Sequence, residues 1–276
     1  MHQPGFASRG LRFLKRHWQD WRRPEAQALR QLKHSFLSWP RFRTGNVKVW
    51  GWDLEFVDPA SFLSAFEAIV VQGCYDFRTH NPSPYILDCG SNIGIAALHF
   101  KRLFPRAEIV AFEPDPIICQ TLRRNLLVNN AADVQVVEGA LWDKAGKTVF
   151  FREGADGGRL GGGSESTRLE VMTVRLADYL TKPVAMLKID IEGAETRVIY
   201  DITQQFDMLI RLVIEYHVIS QTLPSLGKIL SLLEDKGFNY YVNSISGGWI
   251  DFVHPPQKIS DWLDQFLIIY AQRNWK

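Results

Sequence analysis

Tyr85-Ile86-Leu87-Asp88-Cys89-Gly90-Ser91-Asn92-Ile93-Gly94 runs from an apolar segment, through an acid, into two glycines in G-x-x-x-G spacing. The pattern predicts a buried strand, a tight turn and the start of an apolar helix. Glycines in such a turn let a ligand approach the backbone, and the first free N–H groups of the helix face a polar or anionic part of it. A dinucleotide fingerprint would read G-x-G-x-x-G. Asn92 stands where its second glycine would be, which argues against nicotinamide cofactors. Downstream, apolar runs at 109–113, 134–138, 184–190, 209–215, 238–242 and 266–271 join 85–88 as predicted strands. Helices are expected at about 93–104, 116–129, 194–206 and 223–236. This alternation is the signature of an α/β, doubly wound, mainly parallel sheet of seven strands.

Upstream, 47–50 and 52–57 read as strands joined at Gly51, and Pro59 opens a helix to about residue 71. The run from Gly154 to Gly163 interrupts the alternation as a flexible insertion, either a lid or a surface loop. With 276 residues, 46% hydrophobic and 22% charged, the chain excludes disorder and low complexity. Cys74, Cys89 and Cys119 show no ligand spacing and are too few for a disulfide framework, so a reducing, cytoplasmic setting is expected. No apolar run reaches the roughly 18 residues of a membrane span, and no signal-peptide core is seen.

Charge is unevenly spread. Residues 1–50 hold eleven Lys or Arg against Asp20 and Glu25, so that segment is +9 and the remainder −7. The expected organisation is a basic helical extension over 1–46 and a Rossmann-like domain over 47–276, with its core from about 75. Leu11, Leu14, Trp18 and Trp21 form one helical stripe; Leu29, Leu32, Phe36 and Trp39 form a second before Pro40. Both stripes suit packing on the body or on a second subunit as a homodimer. Contact of residues 9–23 with a membrane surface, or of the arm with nucleic acid, is the alternative.

The second strand ends in Glu113-Pro114, and a carboxylate there can accept hydrogen bonds from both hydroxyls of a ribose. The third ends Glu138-Gly139-Ala140, where an adenine would be flanked. The fourth runs Lys188-Ile189-Asp190-Ile191-Glu192-Gly193-Ala194-Glu195, with Lys188, Asp190 and Glu192 on one side and Glu195 in the first helical turn. Ionisable residues so dense at the end of a central strand are costly as packing and point to a site. The fifth strand aims Glu215 and His217 at the same edge.

These segments, with Thr173-Val174-Arg175-Leu176-Ala177-Asp178-Tyr179-Leu180, resemble the FkbM family of S-adenosylmethionine-dependent methyltransferases over about residues 75–243. The resemblance implies a sheet ordered 3-2-1-4-5-7-6 with strand 7 antiparallel. It also implies methyl transfer from S-adenosylmethionine to a hydroxyl of a small molecule or glycan. Asp88, Gly90, Ser91, Asn92, Gly94, Glu113, Pro114, Glu138, Gly139, Ala140 and Asp190 would bind the cofactor. His217 or Asp190 would act as general base, with Glu192 and Glu215 binding or orienting. A divalent cation on Asp190, Glu215 and His217 is the less favoured alternative. A non-catalytic binding protein that docks through the basic arm is the competing class. Methylation of nucleic acid is disfavoured because the fourth-strand run is acidic and repels phosphates.

Overall fold

The computed structural model describes residues 23–155, 157–160, 167–219, 225–244 and 263–273. The stripe from Leu11 to Trp21, and with it nearly all of the expected 9–23 contact, lies outside the described residues, as do Gly161, Gly162 and Gly163. The chain divides into two compact units, Met1–Asp76 and Phe77–Lys276.

In the first unit, Pro24 opens helix α1 (Pro24–Ser35), its fixed φ suiting the first helical position. Strands β1 (Gly45–Val49) and β2 (Trp52–Phe56) pair antiparallel around Trp50-Gly51. Both turn residues have positive φ (53° and 85°), the condition for a type I′ hairpin. Helix α2 (Pro59–Ala65) is capped by Asp58, whose carboxylate accepts the Ser61 N–H at 2.9 Å, and it runs on as a π-helical turn over Phe66–Val71. Leu29, Leu32 and Phe36 are buried here, with Phe36 and Phe62 each about 5 Å from Phe56 between ring centroids. The second stripe therefore finds its apolar partner in the hairpin and α2, although the helix stops at Ser35, short of Trp39. The hairpin, expected to open the Rossmann-like domain at residue 47, belongs to this unit, whose boundary falls after Asp76.

The second unit contains β3 (Tyr85–Cys89), α3 (Ile95–Leu103), β4 (Glu108–Glu113), α4 (Pro116–Val128) and β5 (Gln135–Glu138). A smaller sheet follows, made of β6 (Ala140–Leu141), β7 (Gly146–Arg152), β8 (Arg159–Leu160) and β9 (Thr167–Val174). The chain then returns through β10 (Met186–Ile189), α5 (Glu195–Asp201), a 3-10 turn over Thr203–Met208, β11 (Arg211–Ile219), α6 (Leu226–Asp235), β12 (Asn239–Ser244) and β13 (Leu263–Gln272). The large sheet is ordered β12-β13-β11-β10-β3-β4-β5, parallel except for β13, which runs antiparallel to both neighbours. This is the expected seven-stranded order.

Every residue of β3 is buried, as a central parallel strand covered on both faces must be. Leu187 and Ile189 are fully buried beside it on β10, and Ile214 is fully buried one strand further out. Two expectations change. The helix over 194–206 breaks at Ile202 into α5 and a 3-10 turn that buries Phe206 completely. The region around the glycine-rich run is a four-stranded sheet, ordered β6-β9-β7-β8. The segment Thr173–Leu180 braces the core: Leu176 is fully buried, Tyr179 packs edge-on to Phe112, and the Tyr179 carbonyl accepts the Tyr85 hydroxyl at 2.9 Å.

Candidate active site

The turn after β3 is held by its neighbours. The N–H groups of Gly90 and Ser91 both donate to the Phe112 carbonyl of β4 (3.1 and 2.9 Å), and the Ser91 hydroxyl donates to the Asp88 carbonyl at 2.8 Å. Gly90 adopts φ +82°, and a Cβ there would lie 1.8 Å from the Asp190 carbonyl oxygen. Gly94 caps α3 at φ +94°, with Leu122 filling the space a side chain would need. Asn92, also left-handed at φ 47°, folds its side-chain oxygen onto the Ile93 N–H, and the fully buried Asn125 donates to the Ile93 carbonyl at 2.9 Å.

Glu113 sits at the tip of β4 and is tied to this turn. One carboxylate oxygen accepts the Asn92 N–H and the other the Asp115 N–H, both at 2.9 Å. Burial pushes its pKa up to about 8, with the Asp115 charge adding to the rise and the two N–H bonds opposing it. Pro114 is half-buried beside it. Glu138 lies level with Glu113 in register, but its carboxylate is exposed and paired with Arg123 of α4 at 2.7 Å. Gly139 donates to the Glu113 carbonyl, and Ala140 is buried where β6 joins the small sheet. The Ala155 carbonyl accepts the Asn92 side-chain amide at 3.1 Å, so the small sheet's loop reaches the cofactor-type turn.

On β10, Lys188 lies level with Asp88 and is 3% exposed. Its ammonium donates to the Gly90 carbonyl at 2.5 Å and stands 3.5 Å from Asp88 and 3.3 Å from Asp190. Burial alone would favour the neutral amine. The charges of Asp190, Asp88 and Glu215 outweigh it and hold the lysine protonated, its pKa above the ordinary range. Both oxygens of the fully buried Asp88 lack a hydrogen-bond partner among the described residues, so Lys188 is the charge that compensates it.

His217 reaches the same edge from β11, its ring stacked on Phe266 at 5.2 Å and 10°. Its Nδ1 faces Glu195 at 2.8 Å and its Nε2 faces Glu192 at 3.4 Å. Glu195, 1% exposed, also accepts the Gly193 N–H at 2.9 Å. Burial would favour a neutral ring, but Glu192, Glu195 and Asp190 together raise the pKa to about 10, so the imidazole carries a proton at neutral pH. Asp190, Glu192 and His217 offer ligand atoms within 4.8 Å of one another. Glu215 takes no part in that set; its charge is felt at Lys188. An open cavity of about 740 Å³ begins at Glu195 and His217 and continues past Thr196, Tyr216, Ser225 and Trp142.

The sequence places Lys188 and Glu195 in the fourth-strand run that points to a site but assigns neither of them a catalytic or cofactor-binding role. Their spacing with Asp190 and Glu192 was the available signal. The Trp142 wall of the cavity had none.

Both raised pKa values make the same prediction for stability. A raised folded-state pKa favours the protonated form, so Glu113's contribution is complete below about pH 4.3 and lost as pH rises through about 8. His217's is complete below about pH 6.5 and lost through about 10. The melting temperature should fall between pH 6 and pH 10. His217→Gln should flatten the upper part of that fall and Glu113→Gln the lower; unchanged slopes in differential scanning calorimetry would contradict the assignment.

No helix among the described residues is long and apolar enough to cross a membrane. The family model "Methyltransferase FkbM domain" matches residues 88–240. Methyltransferase sdnD of Sordaria araneosa is 32% identical over 218 residues, covering 63% of this chain and 81% of that protein. The 2-O-methyltransferase NoeI of Sinorhizobium fredii (strain NBRC 101917 / NGR234) is 29% identical over 140 residues, 43% of this chain and 57% of its own length. Among solved structures, methyltransferase FkbM from Methylobacillus flagellatus KT aligns at 15% identity and TM-score 0.43, covering 77% of this chain and 54% of that one. With the matched region spanning the glycine turn, Glu113 and the acidic edge of β10 and β11, the chain belongs to the FkbM methyltransferase family.

Proposed function

We propose that the chain transfers the methyl group of S-adenosylmethionine to a hydroxyl of a sugar, glycan or secondary metabolite. The observation that carries this reading is the meeting, at the carboxyl edge of one sheet, of a glycine cradle, a buried acid at the tip of β4, and the acidic ends of β10 and β11. At Gly90 the space a side chain would need is filled by the Asp190 carbonyl, so the glycine lets the turn close against the end of β10. That geometry and the Glu113 carboxylate suit an adenosyl group, which when bound supplies an electrophilic methyl on a positively charged sulfur.

The chain's own residues do the rest. Glu113 accepts the ribose hydroxyls, and the backbone at Gly139 and Ala140 flanks the adenine. Glu138, turned toward Arg123, contributes through its backbone. Asp190 and Glu192 present negative charge to the sulfonium side and, with Glu215 and the protonated imidazole of His217, hold the acceptor near attack distance. Because His217 already carries a proton, Asp190 rather than His217 takes up the proton the hydroxyl releases. The name of the NoeI relative supports an oxygen acceptor.

Calorimetry with S-adenosylmethionine tests the reading. Wild type should bind, and Glu113→Ala should bind roughly 10- to 100-fold more weakly, the worth of one or two hydrogen bonds in a buried site. Equal affinity of the two proteins, or no binding by either, defeats the proposal.

A further inference from the structure

We propose that Asp190, Glu192 and His217 form a binding site for a divalent transition-metal cation of the Mn²⁺, Fe²⁺ or Zn²⁺ kind. Their ligand atoms lie within 4.8 Å of one another. Three ligands about 2.1 Å from a single ion stand roughly 3 to 4 Å apart, so modest rotation of the two carboxylates closes the set. The site goes beyond the methyl-transfer reading and does not require it; only the use of the cation to acidify an acceptor hydroxyl rests on that reading.

The imidazole separates this group from an ordinary acidic patch. His217 is buried, and its ring is confined by stacking on Phe266. Glu195, which is not among the three ligands, holds Nδ1 at 2.8 Å and is itself fixed by the Gly193 N–H. Nδ1–H donates to Glu195, so Nε2 is the nitrogen turned to the side where Glu192 and Asp190 stand, and a cation bound there takes the place of its proton. A carboxylate that orients an imidazole toward a cation is the usual outer support of a metal-bound histidine.

Charge points the same way. Asp88, Asp190, Glu192, Glu195 and Glu215 share this edge with the cations Lys188, His217 and Arg159, the last in the field of Glu192. A divalent ion would offset the surplus of negative charge. Two carboxylates with one imidazole favour a first-row transition metal over Ca²⁺ or Mg²⁺, and three protein ligands leave positions open for water or a substrate oxygen. The residue set differs from the sequence expectation, with Glu192 in the place of Glu215.

The full chain, stripped of metal, is titrated with MnCl₂ while the electron paramagnetic resonance of free Mn²⁺ is followed. One Mn²⁺ should bind per chain, His217→Gln and Glu192→Gln should each weaken it at least about tenfold, and Glu170→Gln, an exposed position on the small sheet, should match wild type. Glu192→Gln decides alone if His217→Gln does not fold. The proposal is overturned if wild type leaves Mn²⁺ free, or if both variants bind it as wild type does. Calorimetry with S-adenosylmethionine on the same samples separates the two readings. Cofactor binding without Mn²⁺ binding removes the cation site alone, and Mn²⁺ binding without cofactor binding removes the methyl-transfer reading alone.

Discussion

Gly90→Ala should abolish cofactor binding and lower the stability of the fold by about 4 kcal/mol or more, an effect in the range that marks a backbone conflict. Two costs combine. Left-handed backbone at φ +82° costs a residue with a Cβ about 1–2 kcal/mol. The added methyl would also lie 1.8 Å from the Asp190 carbonyl, which is backbone and cannot rotate aside. Relief requires the ends of β3 and β10 to part. That breaks the Asp190 N–H bond to the Cys89 carbonyl (3.0 Å) and the Lys188 bond to the Gly90 carbonyl (2.5 Å). Thermal melting should show a drop of about 10 °C. Gly227→Ala is the contrasting case: it lies in the first turn of α6 with open space around it, and alanine there should cost nothing and gain up to about 1 kcal/mol. Similar behaviour of the two variants would refute this account of the turn.

Lys188→Met should destabilise by about 3–5 kcal/mol, the usual result of removing one partner from a buried ion pair. The methionine fits the volume but leaves Asp88, fully buried, without its compensating charge, and frees the Gly90 carbonyl from its donor. The loss is electrostatic rather than steric. Asp88→Asn combined with Lys188→Met should therefore recover a measurable part of it, because the neutral amide does not need a cation. Urea unfolding of the wild type, the single variant and the double variant measures the recovery. A double variant less stable than Lys188→Met would show that Asp88 and Lys188 act independently.

Much of the site was readable because it is local. The turn Gly90–Gly94, Glu113 at a strand end and the run Lys188–Glu195 each lie within a few residues, and alternation along a strand gives their common side. Residues whose roles depend on a distant partner were harder to read. Glu195 looks like a favourable charge in a first helical turn; its burial against His217, 22 positions later, is what makes it part of the site. Glu138 looks like a cofactor contact until Arg123, fifteen residues earlier, is seen to hold it. The small sheet was missed although Val149 and Phe151, and Leu169 and Val171, alternate as strand residues do. Its longest pairing joins β7 to β9 across the glycine-rich run, and sequence carries no marker for that register.

The sequence by itself determined the doubly wound class and the position of the glycine turn, and the order of the strands followed only from the family resemblance. Hydrophobic period, glycine conformation and helix starts are properties of neighbouring residues, and connection rules restrict how such units assemble. Tertiary structure alone decided that Lys188 lies level with Asp88, that His217 is held between Glu192 and Glu195, and that the hairpin joins the first unit. Those facts follow from strand register and burial, where the strength of a charge depends on what surrounds it in space rather than along the chain.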